Sequence, residues 1–121
     1  MIAAVILLSA LAGDPIAGTW EGTSLCQVKP SPCHDEHVIY RVTKTGAGRY
    51  KLDAYKLVGG KELFMGAIKL AFEPARNRLS GTITGKRGAS YVRFDLKANH
   101  LSGRLTLEDG TLFRLIEVTR R

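Results

Sequence analysis

The densest group of chemically reactive side chains lies in one short segment near the N-terminal end of the chain. It consists of Cys26, Cys33, His34, Asp35, Glu36 and His37. Thiolates and imidazoles at such spacing can hold zinc or copper. The two cysteines are an even pair, seven residues apart with two prolines between them, which in a small exported domain indicates a disulfide. Oxidised cysteines leave only a weak surface site of histidines and carboxylates, so we predict a Cys26–Cys33 disulfide and no metal ion.

The same segment also has the residue types for acid–base catalysis, because His34 stands beside carboxylates. The sequence presents no recognisable nucleophile and no second element of a triad, and other acidic residues such as Asp53 and Glu117 are isolated. Two glycine-containing turns, 59–61 and 85–88, resemble phosphate-binding loops only in composition, because neither precedes a helix. We therefore expect no catalytic residue, no cofactor and no enzymatic activity.

The charge of the chain is strongly positive. Eighteen Lys and Arg residues against eleven Asp and Glu give a net charge of +7, and the basic residues are spread without a run of four. A basic surface favours polyanions, so an anionic envelope component is a candidate partner; the alternative is a charge that only solubilises the protein. Nucleic acid is not expected, because the exposed aromatic candidates, Tyr55 and Tyr91, are too few to stack bases.

The N-terminal segment, residues 1–12, is uncharged and almost wholly apolar. It ends in Ala10-Leu11-Ala12, which has the small-x-small form of a signal-peptidase site. Twelve residues are too few to cross a bilayer as a helix, which needs about 20. We interpret residues 1–12 as a signal peptide, expect a secreted or periplasmic protein, and expect no transmembrane segment in the mature chain. The alternative is an apolar segment that stays in the fold.

From Ile16 onward the apolar residues recur with period two, and no helical period is visible. Eight alternating segments follow one another, with glycine-rich turns such as 45–48 and 58–61 between them. Short connections make consecutive strands antiparallel neighbours, and a meander of this length removes its edges by closing. The sequence predicts an all-β domain over 13–121, an eight-stranded antiparallel up-and-down β-barrel. In the fourth strand the alternation places Phe64 on the same face as Ile68.

Gly18-Thr19-Trp20, at the start of the first strand, resembles the Gly-x-Trp signature of the calycin barrels, which include lipocalins, fatty-acid-binding proteins and avidins. In those proteins the tryptophan closes one end of the barrel, and an arginine from the last strand packs across it. The resemblance implies structural roles for Gly18, Trp20 and an arginine. We favour Arg120 over Arg114, because the first and last strands run antiparallel. The chain is shorter than a lipocalin and has a single tryptophan where avidins use several, so biotin binding is not implied.

Together these patterns predict a non-catalytic binding protein that takes a small apolar or amphipathic ligand in the barrel mouth. The aromatic candidates for ligand binding are Trp20, Tyr40, Tyr50, Phe64 and Phe94. The alternative is a periplasmic or envelope protein-interaction module, comparable to an inhibitor, whose barrel is filled and has no ligand pocket.

Overall fold

A computed structural model describes residues 13–29, 32–85 and 88–121. They form a closed barrel in which each strand pairs with the next and the last pairs with the first, which confirms the predicted eight-stranded antiparallel meander. The proposed signal peptide lies outside the described residues. Within the described residues, no helix has the length and apolar character needed to cross a bilayer. The strands are β1 (Gly18–Cys26), β2 (Glu36–Gly46), β3 (Arg49–Val58), β4 (Lys61–Glu73), β5 (Arg78–Gly85), β6 (Gly88–Lys97), β7 (His100–Leu107) and β8 (Leu112–Arg120), with a 3-10 turn at Pro74–Arg76 between β4 and β5.

Large apolar side chains fill one end of the barrel, which we call the floor. Alternate residues of each strand point inward, and the fully buried ones include Trp20, Leu52, Leu79 and Leu101. Each such side chain stabilises the fold by about 1.5–3 kcal/mol when it leaves water. The floor is therefore the most tightly packed part of the interior.

Trp20 is the centre of the floor. Its indole N–H donates a hydrogen bond to the carbonyl of Ile16 at 2.9 Å. The guanidinium carbon of Arg120 lies 4.7 Å from the centre of the indole ring. The register explains the choice of arginine, because Trp20 and Arg120 are direct partners in the β1–β8 pair while Arg114 pairs with Cys26 at the other end. Gly18 leaves room for this stack, since a Cβ there would lie 2.5 Å from an Arg120 nitrogen and its φ is +142°.

Residues 14–17 form a strap that crosses the floor before β1 begins. The Asp14 carboxylate accepts hydrogen bonds from the backbone N–H groups of Ile16 at 2.8 Å and Ala17 at 2.9 Å. It also accepts a hydrogen bond from the Tyr50 hydroxyl, whose oxygen lies 2.8 Å from the nearer carboxylate oxygen. Arg120 donates to the Ala17 carbonyl at 2.6 Å and to the Pro15 carbonyl. One carboxylate and one guanidinium thus fix the strap beneath Trp20.

Asp14 holds the strap in place in its ionised form. Burial alone would raise its pKa, but hydrogen bonds from Ala17, Ile16 and Tyr50, with the charge of Lys44, hold the pKa below its ordinary value. A lowered folded-state pKa gives stability that is present above the unfolded carboxyl pKa of about 3.9 and lost as the pH falls through the folded value. Burial, together with the hydrogen bond to Asp14 and the charge of that carboxylate, raises the pKa of Tyr50 to about 12.

We therefore expect Asp14→Asn to lower the free energy of unfolding by about 1.5–3 kcal/mol at neutral pH, the range for hydrogen bonds to charged groups. We also expect the difference from wild type to shrink steadily below about pH 4. Urea denaturation at a series of pH values measures both effects. Asp53→Asn, which removes only a surface partner of Lys51, serves as the control. A constant difference between Asp14→Asn and wild type across the acid range would contradict the assignment.

The prediction that Phe64 faces the interior is wrong. The β3–β4 register pairs Ala54 with Gly66 but Tyr55 with Phe64, so Met65 is an extra residue on β4. An extra residue moves the side chains before it to the opposite face of the sheet. Phe64 is consequently 60% exposed on the outer face, with its ring centre 5.4 Å from that of Tyr55.

Candidate functional site

A cavity of about 230 Å³ lies inside the barrel at the end opposite the floor. Tyr40 and Phe94 lie in its wall, with their rings edge to face and their centres 6.1 Å apart. The rest of the wall is also mostly apolar and includes Ala54, Met65, Ile68, Ile83, Val92, Leu105 and Ile116. The structure therefore brings Tyr40 and Phe94 together at one interior surface.

The other aromatic candidates lie elsewhere. Trp20 and Tyr50 are buried in the floor and do not line the cavity, and Phe64 is on the outer face. The space exists because small inward residues, among them Ser24, Ala54 and Gly66, occupy the mouth end of the strands. Residue volume along each strand thus decides where the barrel is filled and where it is hollow.

Arg114 provides the polar end of the cavity. This inward residue of β8 has a side chain that is 13% exposed. Its Nη1 donates to the Ser24 carbonyl at 3.2 Å, the Ser24 hydroxyl at 3.3 Å and the His34 carbonyl at 3.0 Å. Glu36 Oε1 lies 3.5 Å from the same nitrogen, and Lys56 lies 3.7 Å from the other Glu36 oxygen. A charge in an apolar interior needs such partners.

The Tyr40 hydroxyl is held in its neutral form. Burial raises its pKa first, the charge of Glu36 raises it further, and the charge of Arg114 opposes part of that rise. A protonated phenol can donate or accept a hydrogen bond. Tyr40 therefore adds a neutral polar group to a wall that is otherwise apolar.

The side chains of the segment from Cys26 to His37 that the structure describes contact different partners and do not converge on one point. The predicted disulfide between Cys26 and Cys33 is confirmed. Asp35 accepts the backbone N–H of Cys26 at 2.8 Å, and His37 Nε2 lies 2.5 Å from a Glu21 oxygen. Across the described residues, no three or more His, Cys, Asp and Glu side chains form a group suited to a metal ion. The segment acts as a closed loop beside the mouth of the barrel.

β4 and β5 share the shortest paired stretch of the closed barrel, three residue pairs that end at Ala71 and Ser80. On this side the cavity is bordered by Met65 and Ile68 on β4 and by Ile83 on β5. Ile68 and Ile83 point inward but are only half-buried.

Sequence reasoning missed Ser24 and Glu36 as parts of this site. Glu36 follows the disulfide loop, and Ser24 occupies an inward position without any distinctive neighbour, so neither carried a signal. Arg114 did carry one, because the alternation places it on the apolar inward face of β8 with Ile116 and Val118. A charged residue on such a face requires a buried partner or a ligand.

Comparison with known proteins gives no family assignment. No protein-family model matches the chain. The search of curated proteins finds no significant match either. The cavity, its polar end and the charges of the outer surface are therefore the features of the molecule that bear on its function.

Proposed function

We propose that the protein binds a small amphipathic molecule, with its apolar part in the cavity and an anionic head at Arg114. The observation that carries the proposal is an apolar cavity of about 230 Å³ with an arginine at one end. A cavity of about 150 Å³ accepts benzene, and drug-sized ligands occupy about 300 Å³ or more. The space therefore suits a short acyl chain or a single ring.

The chemistry of Arg114 favours an anionic head group. Among the described residues, its hydrogen bonds all come from Nη1. Within the described part of the chain, Nη2 and Nε donate no hydrogen bond, and two such donors can bind a carboxylate in a bidentate manner. Lys56 adds a second positive charge near Glu36. A carboxylate or a phosphate monoester matches this arrangement better than a cationic head.

The wider proposal is an exported, non-catalytic calycin-type binding protein. The Arg120–Trp20 stack beneath Gly18 supports the calycin relationship. The Cys26–Cys33 disulfide supports a secreted or periplasmic location, because disulfides persist in oxidising compartments. The apolar segment 1–12 is consistent with that location as a signal peptide.

Calorimetric titration with straight-chain monocarboxylates of increasing length tests the proposal. We expect affinity to rise with chain length until the cavity is full, and then to level off. Ala54→Leu, which fills the cavity, should weaken binding at least tenfold, while Ala71→Leu on the outer surface should leave it unchanged. Arg114→Gln should weaken the binding of the carboxylates far more than the binding of alcohols of the same chain length. Equal binding by wild type and Ala54→Leu would refute the cavity as the site.

A second candidate function is protein interaction through the β3–β4 hairpin. Most of the large apolar side chains exposed in the described part of the chain lie on it, namely Val58, Leu63, Phe64 and Met65. Clustered exposed apolar residues mark interaction surfaces. Ala54→Leu separates the two candidates, because it closes the cavity and leaves the hairpin surface intact.

A further inference from the structure

Positive charge is balanced unevenly around the barrel. Many carboxylates are already within 4 Å of a basic side chain, namely Asp14, Glu21, Glu36, Asp53, Glu62, Asp95 and Glu117. By contrast, Lys69, Arg93 and Arg104 form no ion pair with any described residue. These three side chains carry part of the excess charge of the protein, and Arg49 in a neighbouring depression of the surface adds a further positive charge that no described carboxylate pairs. Lys61, Arg76 and Lys97 are likewise outside any ion pair with the described residues and lie elsewhere on the surface.

The strand register places basic residues directly opposite one another on that face. Arg93 pairs with Arg104 across β6 and β7, and Lys51 pairs with Lys69 across β3 and β4. We call these four residues the basic band. Like charges in opposite positions destabilise a sheet, and the effect is larger for Arg93 and Arg104, because Lys51 already has Asp53 at 3.6 Å. A bound anion that contacts both members of a pair would remove that repulsion.

The basic band follows a groove. One depression of about 510 Å³ contains Arg93 and Arg104, and another of about 480 Å³ contains Lys51 and Lys69. The two depressions adjoin at Ser80, and their lining residues together extend from β3 to β7 around the outside of the barrel. With neighbouring strands about 4.8 Å apart, five strands span about 19 Å. That length accommodates several units of a polymer rather than one small ion.

We propose that this groove binds an anionic polysaccharide. Its sulfate, phosphate or carboxylate groups would pair with the basic band. Its sugar hydroxyls would exchange hydrogen bonds with the hydroxyl groups that line the groove, which belong to Ser80, Thr82, Tyr91 and Thr106. The site is on the outer surface and is independent of the interior cavity and of any ligand bound there.

The same surface is poorly suited to the other common polyanions. Tyr91, which is 44% exposed, is the one large aromatic or aliphatic side chain exposed in the described part of this groove. A surface that lies on a membrane uses several apolar side chains to enter the lipid. Single-stranded nucleic acid is held by successive aromatic side chains on which its bases stack. A hydrophilic charged chain needs neither feature.

Fluorescence anisotropy with a labelled heparin oligosaccharide, a sulfated polysaccharide, tests the inference at about 0.15 M salt. The test variant is Arg93→Gln/Arg104→Gln. The control is Arg76→Gln/Lys97→Gln, which removes the same charge from exposed residues outside the groove. We expect at least tenfold weaker binding by the test variant, a shallower salt dependence, and less than a twofold change in the control.

Stability distinguishes loss of the site from loss of the fold. Because the test variant removes a like-charge pair, its urea midpoint should equal or exceed that of wild type. Equal losses of heparin binding in both variants would overturn the inference, because they would show that binding depends only on the net charge of the protein. It would also be overturned if wild type failed to bind heparin, or if it bound phosphatidylglycerol vesicles or an oligothymidylate more tightly.

Discussion

Trp20→Ala is expected to lower the free energy of unfolding by about 3–5 kcal/mol, as for other large core truncations. The indole is fully buried, so its removal leaves a cavity at the floor. It also removes the hydrogen bond to Ile16 and the aromatic face beneath Arg120. Urea denaturation followed by far-ultraviolet circular dichroism measures the loss, since Trp20 is the only tryptophan that fluorescence could report.

Two comparisons sharpen this prediction. Tyr91→Ala removes an aromatic side chain from the outer face and should cost less than about 1 kcal/mol. A double-mutant cycle between Trp20→Phe and Arg120→Met should give a coupling of about 0.5–2 kcal/mol, the range for a cation over an aromatic ring. A loss below 1 kcal/mol for Trp20→Ala would show that the floor is not the main packed region of the barrel.

Gly22→Ala is the second change with a large expected effect, because Gly22 lies where β1 meets β8. A Cβ at this position would overlap the carbonyl oxygen of Glu117 and lie 2.9 Å from the Cα of Val118. Both obstacles are backbone, so no side-chain rotation can relieve the overlap and the two strands must separate. We expect a loss of about 3 kcal/mol or more, at or beyond the upper end for overpacking.

The matched control is Gly85→Ala on β5, where a Cβ would meet nothing within 4 Å. It should change the free energy of unfolding by no more than about 0.5 kcal/mol. Soluble yield, urea denaturation and hydrogen exchange of the β1 and β8 amides compare the two variants. Equal stability of Gly22→Ala and Gly85→Ala would mean that the closing pair of strands is looser than the structure shows.

The barrel could be predicted from the sequence because each of its determinants is local. Period-two alternation and short turns specify antiparallel neighbours, and those neighbours leave the first and last strands to pair. The same reasoning identified Arg120 rather than Arg114 as the arginine at the Trp20 end, which is where the β1–β8 register places it. Neither step required knowledge of how the strands are staggered.

The candidate site could not be predicted in the same way. Phe64 changes face because of a single extra residue, and nothing in the alternation marks Met65 as that residue. The cavity depends on Ser24, Ala54 and Gly66 reaching the same level of the barrel, which only the stagger of their strands determines. The basic band has the same origin, since cross-strand register brings together arginines that are isolated in sequence.

The pairing of β1 with β8 also determines the order in which the chain can fold. Its partners are far apart in sequence, from Cys26 with Arg114 to Trp20 with Arg120. Contacts between such distant residues form slowly, because a long loop must be ordered before they stabilise anything. Trp20 is made early but lacks its arginine until the last strand has left the ribosome. The barrel therefore stays open until β8 has been synthesised, which suits the proposed export, since an open chain can thread through a translocation channel and close on the far side.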